Sequence, residues 1–249
     1  MSGSSTLART VVSGIDLGAS TIWVVGLEGE RAARVTFAER ISSEHLDEVA
    51  LLVGTSTVIA IDAPEALSRG SHVGDLRLSR KFQRARCAEV ALRRAGIAVP
   101  FATPLPGEAL PAWMVVGFST WEAASDSGNT VLETYPHGIF WRLAGRQLLH
   151  KQREEGRIAR RQLLASHLDL PVGASFWPHD ALDALACAVL AWQASKGSAD
   201  RIDCGNDVEW RHHDGSAIWL PRSSPARVGS PLASTSPSSG MGGFSTLEV

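Results

Sequence analysis

The sequence predicts an α/β fold: a mixed five-stranded sheet, made of an antiparallel meander plus two parallel strands, with helices on both faces. Three observations carry this reading. Residues 11–40 hold three runs rich in β-branched and apolar residues, joined by short glycine-containing connections. Residues 57–62 are apolar almost without interruption, the pattern of a central strand covered on both faces. Helical stretches precede both this run and the next strand, at 130–135, and strands joined by long crossovers pair in parallel.

The elements follow in order. Residues 11–16 read as a buried strand ending in Asp16, and Gly18 and Ala19 form a tight turn. Residues 21–27 make the second strand, and residues 31–40 alternate as the third. Ser43 is the expected N-cap of a helix with Leu46, Val49, Ala50 and Val53 at helical spacing, closed by Gly54. The strand at 57–62 ends in Asp62 and is stopped by Pro64. Residues 75–95 read as one long arginine-rich helix closed by Gly96, followed by a proline-rich connection. Residues 109–124 read as helical, and the fifth strand at 130–135 contains Glu133 and ends before Pro136. A short helix is expected over 137–144, and a basic amphipathic helix over 153–168. Pro178 suits the start of a helix that is apolar on nearly every side and therefore predicted to be buried. Asp214-Gly215, between residues 208–210 and 217–220, signals a hairpin.

Composition sets the boundaries. The 249 residues are 44% hydrophobic and 20% charged, as in a globular domain. We expect a flexible N-terminus at 1–10, a single domain at 11–221 that includes the hairpin at 208–220, and a disordered tail at 222–249, rich in Ser, Pro and Gly. No apolar run has the length of a membrane span, so no membrane association is expected. The three cysteines, Cys87, Cys187 and Cys204, form no Cys-x-x-Cys pair; a cytoplasmic location is the expectation. The net charge of −2 gives no global sign of nucleic-acid binding, so any such surface must be local.

The acids carry the functional signal. Asp16, Asp62 and Glu133 lie within or at the ends of apolar strands. Asp180 and Asp183 lie three apart on the apolar helix, on one face. Asp180 has a structural explanation, since a carboxylate is favoured in the first turn of a helix. His179 reads as a surface residue. Asp183 lies a turn deeper, between Leu182 and Leu185, with no cationic residue within a helical turn. A buried pair of like charges is costly without compensation. An oxygen-rich set of this kind suits Mg²⁺ or Mn²⁺ rather than zinc.

Gly14-Ile15-Asp16-Leu17-Gly18, Ala60-Ile61-Asp62 and the stretch from His179 to Ala186 resemble the three acidic motifs of RNase H-like nucleases of the Holliday-junction resolvase type. More narrowly, the chain resembles family 429 of the domains of unknown function, regarded as RNase H-like nucleases. Leu132-Glu133-Thr134-Tyr135-Pro136-His137, Phe140-Trp141, Lys151, Gly156, Arg160 and the closing Ala217-Ile218-Trp219-Leu220-Pro221 are similar to its later motifs. The resemblance implies an RNase H-like sheet, a divalent Mg or Mn ion, and Asp16, Asp62, Asp180 and Asp183 as metal-binding catalytic acids. Asp62 stands where the resolvases often have glutamate. Glu133 follows the narrower family only and completes the candidate catalytic set.

Basic segments at 69–94 and 151–161 read either as solvated helix faces or as contacts to nucleic-acid phosphates. Lys151, Arg160, Arg77 and Arg84 are the candidate phosphate-binding residues. The leading reading is a metal-dependent nuclease that hydrolyses phosphodiester bonds in DNA or RNA. Two alternatives stay open. One is an ATP-binding protein of the actin and sugar-kinase kind, because Gly14-Ile15-Asp16-Leu17-Gly18-Ala19-Ser20 also resembles that superfamily's first phosphate motif. The other is a catalytically inactive RNase H-like binding protein.

Overall fold

The computed structural model describes residues 10–125, 128–205 and 214–222. The expected flexible N-terminus, but for Thr10, lies outside the described residues. So do the first arm of the expected hairpin, at 208–210, and the expected tail beyond residue 222.

Strands β1 (Thr10–Leu17), β2 (Thr21–Gly29) and β3 (Arg34–Ser42) form the meander, and α1 (Leu46–Val53) leads into β4 (Val58–Ile61). Next come α2 (Arg80–Gln83), α3 (Cys87–Arg94), α4 (Ala112–Ser125) and β5 (Thr130–Glu133). Helices α5 (Pro136–Ala144), α6 (Glu154–Ala165) and α7 (His179–Ser195) follow, then β6 (Ala199–Ile202) and β7 (Ile218–Pro221). The five-stranded sheet has the order β3-β2-β1-β4-β5. β2 is antiparallel to both β1 and β3, while β4 is parallel to both β1 and β5. This is the expected mixed five-stranded sheet, with β1 as the central strand.

Strand alternation sorts side chains onto two cores. Ile15, Ile59 and Ile61 pack with Val49, Val53 and Trp121, beneath α1 and α4. Val12, Ala60 and Leu132 face α7 in the larger core. By the same alternation, Gly14 and Asp16 share the Val12 face, and Asp62 continues the Val58 and Ala60 face. Helix α7 is buried without a break from Ala181 to Ala191, which explains why its sequence has no polar face. Burying Leu182, Leu185 and Leu190 contributes roughly 1.5–3 kcal/mol each. Its backbone rests on β1 at Gly14, where a Cβ would lie 2.0 Å from Ala188 N and 2.3 Å from Ala184 O. Gly197, in the left-handed region at φ 66°, follows the end of α7.

Three expectations need correction. Ser43 is not the N-cap of α1; His45 holds that position, without a side-chain cap. The long helix at 75–95 is two short helices broken at Arg86, whose ψ of 158° is extended. The Arg86 side chain at this break is buried, 2% exposed. Strand β7 pairs antiparallel with β6, which the sequence reading missed, to form a separate two-stranded sheet.

Candidate active site

Parallel pairing brings the C-terminal ends of β1 and β4 side by side, with Asp62 N–H donating to Ile15 O at 2.9 Å. Asp16 and Asp62 leave these strands on the same face. The first two turns of α7 lie over that face and carry Asp183 between them. Asp16 is 5% exposed and Asp183 3%, while Asp62 is partly exposed. All three line a cavity of about 530 Å³, with Asp180 at its edge.

The charges are poorly compensated. Lys151, from the turn before α6, donates from Nζ to Asp183 Oδ2 at 2.6 Å. That ammonium acts on all three acids. Burial, then the Asp183 and Asp62 charges, push the Asp16 carboxyl well above its ordinary range. Burial and Asp183 raise Asp62 to about 7, although a hydrogen bond from Asp16 opposes the rise. Burial also raises Asp183, against the pull of Lys151. Lys151 is itself raised: burial acts to lower it, and Asp183 more than offsets that.

A pH dependence follows. The native state keeps a proton on Asp62 up to about pH 7, whereas the unfolded chain releases it near 3.8. The native state therefore binds more protons between these values, and this group's contribution to stability falls as pH rises through that window. At 1.36 kcal/mol per pH unit the full shift from 3.8 to about 7 corresponds to about 4 kcal/mol. The carboxyl faces an open cavity, so about half of that is expected. Asp62→Asn keeps an acceptor for Asp16. It should stabilise the metal-free chain by roughly 2 kcal/mol at pH 8 and by little at pH 4, as read by urea unfolding in chelator. An equal effect at both values would refute the rise at Asp62.

The other candidates are distributed differently. Asp180 is 40% exposed at its side chain, and its Oδ1 lies 2.5 Å from His179 Nδ1. His179, Asp180 and Asp183 each present a ligand atom within 4.8 Å of the other two, so His179 joins the site despite its reading as a surface residue. Its position one residue before Asp180 was the available signal. Glu133 is elsewhere. It pairs in register with Ile61, one residue out of phase with Asp62, and so leaves the sheet on the opposite face. There it accepts from Arg86 Nη1 at 2.6 Å, from Arg86 Nη2 and from Glu65 N–H at 2.9 Å. Arg86 also bonds Glu89 and Thr103, which completes a buried network beside the cavity.

Lys151 and Arg160 line the cavity; Arg77 and Arg84 do not. Arg160 is 4% exposed, and its Nη1 is committed to Leu149 O and Gly156 O at 2.8 and 2.9 Å. Arg77 pairs with Asp75 at 2.8 Å and Arg84 with Glu108, both on the surface. Arg146 and Arg153 flank an adjoining depression that shares Gln147, Leu148 and His150 with the cavity. The cavity's remaining wall includes Phe101 and Trp113, whose rings pack edge to face at 5.1 Å, and Tyr135, whose hydroxyl donates to Ala98 O at 3.0 Å. The glycine turn after β1 closes on itself, with Gly18 N–H donating to Thr21 O at 2.8 Å.

A family described as "Protein of unknown function (DUF429)" matches residues 14–205. No curated protein matches the sequence. Among solved structures, the RuvC structure of Thermus thermophilus is 18% identical over 76% of this chain and 97% of its own, at a TM-score of 0.43. The same organism's RuvC in complex with a Holliday-junction substrate is 18% identical over 76% and 96%, at 0.41. A crystal structure of a putative sugar kinase from Cytophaga hutchinsonii is 10% identical over 53% of this chain and 38% of its own, at 0.25. Among the described residues, no helix is long and apolar enough to cross a membrane.

Proposed function

We propose that this chain, which belongs to the DUF429 family of proteins of unknown function, is a divalent-metal-dependent phosphodiester hydrolase acting on nucleic acid. The observation that carries the proposal is the convergence of Asp16, Asp62 and Asp183 on one cavity from β1, β4 and α7.

The donor set fits a hard cation. Three buried or partly buried carboxylates face one ammonium, which leaves an excess of negative charge and several uncommitted oxygen lone pairs. Oxygen ligands of this kind suit Mg²⁺ or Mn²⁺. When bound, such a cation polarises a phosphoryl oxygen and lowers the pKa of the attacking water. Asp16, Asp62 and Asp183 would hold it, with Asp180 and His179 at the rim. The proton that the raised Asp62 carboxyl holds leaves on binding, so occupancy rises with pH. Lys151 keeps Asp183 oriented and sets a positive charge beside the position of a phosphate. Arg146 and Arg153, on the adjoining rim, offer sequence-independent contacts to a polynucleotide backbone.

The test is cleavage of a panel of branched, hybrid and single-stranded DNA and RNA substrates with Mg²⁺ or Mn²⁺. Cleavage should occur with the wild type, stop in chelator and be lost in Asp16→Asn. Absence of cleavage across the panel, or equal cleavage by Asp16→Asn, would overturn the proposal.

A further inference from the structure

A second cluster of ligating side chains lies away from the aspartates. His72 (4% exposed) belongs to the turn region after Gly70, and Cys87 (0% exposed) is the first residue of α3. Cys204 follows β6 and is partly buried. Cys87 Sγ lies 3.4 Å from His72 Nε2, and Cys204 Sγ lies 3.9 Å from the same nitrogen. Cys204 Sγ also donates to Cys87 O at 3.3 Å, and the three ligand atoms all lie within 4.8 Å of one another. None of the three residues lines the aspartate cavity.

These distances are those of a metal site. Zinc bonds of about 2.3 Å to sulfur and about 2.0–2.1 Å to nitrogen put tetrahedral neighbours roughly 3.6 Å apart for sulfur and nitrogen. The observed 3.4 and 3.9 Å bracket that edge. Two thiolates and an imidazole form a soft set that selects zinc over the hard cations suited to Asp16, Asp62 and Asp183. We propose that His72, Cys87 and Cys204 form a zinc site.

Its role is to join segments that are distant in the chain. The site would tie the turn at His72 and the chain leaving β6 to the first turn of α3. That turn already receives Asp214, whose Oδ2 accepts from Cys87 N–H at 2.9 Å. Arg86, immediately before it, carries the buried pair with Glu133. Zinc would therefore hold in place the element that supports the edge of the main sheet, and both thiol protons would be released on binding.

The experiment uses the full chain, produced in zinc-supplemented medium and purified with reductant and without chelator. Elemental analysis should find one zinc per chain. Cys87→Ser and Cys204→Ser should each lower bound zinc by at least about tenfold, while Cys187→Ser and Asp16→Asn retain it. Cobalt exchanged into the wild type should show near-ultraviolet thiolate-to-cobalt charge transfer, a readout that does not depend on any variant folding. A wild type with neither zinc nor that absorption overturns the proposal. A Cys87–Cys204 disulfide in the zinc-supplemented protein, or zinc retained by both serine variants, overturns it equally.

Discussion

Asp183→Asn is expected to lower metal-dependent phosphodiester cleavage by about 10²–10³-fold while leaving the fold intact. The amide keeps an acceptor for the Lys151 ammonium, so the contact at 2.6 Å survives as a weaker bond. The lost charge is one that burial already destabilises, so native packing does not depend on it. What disappears is a hard anionic ligand on the element that closes the site from above. Single-turnover cleavage at saturating Mn²⁺, beside a thermal melt in chelator, separates the two effects. A variant that melts as the wild type does and cleaves as fast would remove Asp183 from the mechanism.

Gly14→Ala is expected to lower stability by about 3 kcal/mol or more, a fall in Tm of roughly 6–12 °C for a chain of this size. The new methyl carbon would meet Ala188 N at 2.0 Å, Ala184 O at 2.3 Å and Cys187 C at 2.6 Å. These are backbone atoms of α7, so no rotamer change relieves the clash and the helix must lift from β1. Asp183 rides on that helix, one turn before Cys187. Cleavage should therefore fall further than stability alone explains, because a shift of about 1 Å in a reacting geometry can cost on the order of 10²-fold. Denaturant unfolding and cleavage of the folded fraction check both parts. A variant as stable as the wild type would show that the helix approach is looser than it looks.

Much of this arrangement is legible in the residue order. The meander, the buried β4 and the all-round apolar α7 follow from period-two and unbroken hydrophobic patterns. Asp16 and Asp62 are legible because each stands at the end of such a run. Glu133 looks the same from sequence, yet its register with Ile61 turns it away from Asp62. Strand phase relative to a neighbour is not written in either strand alone. Arg86 misleads in a similar way, since an arginine in a basic stretch reads as solvated until its two glutamate partners are brought to it. The cluster at His72, Cys87 and Cys204 was equally invisible, because its members are separated by 15 and 117 positions and match no local spacing. The pairing of β7 with β6 escaped notice because Asp214-Gly215 is a strong local signal for a different partner.

The cavity's two unlike walls set a requirement on whatever fills it. Carboxylates and Lys151 make one side, and Phe101, Trp113 and Tyr135 stand on another. With the cation in place, inorganic phosphate would satisfy the first and leave the second facing water. A small aromatic molecule would do the reverse. Full occupancy asks for a guest that is anionic at one end and flat and apolar at the other, the division found within a single nucleotide. On that basis a mononucleotide should compete for the site better than either half supplied separately.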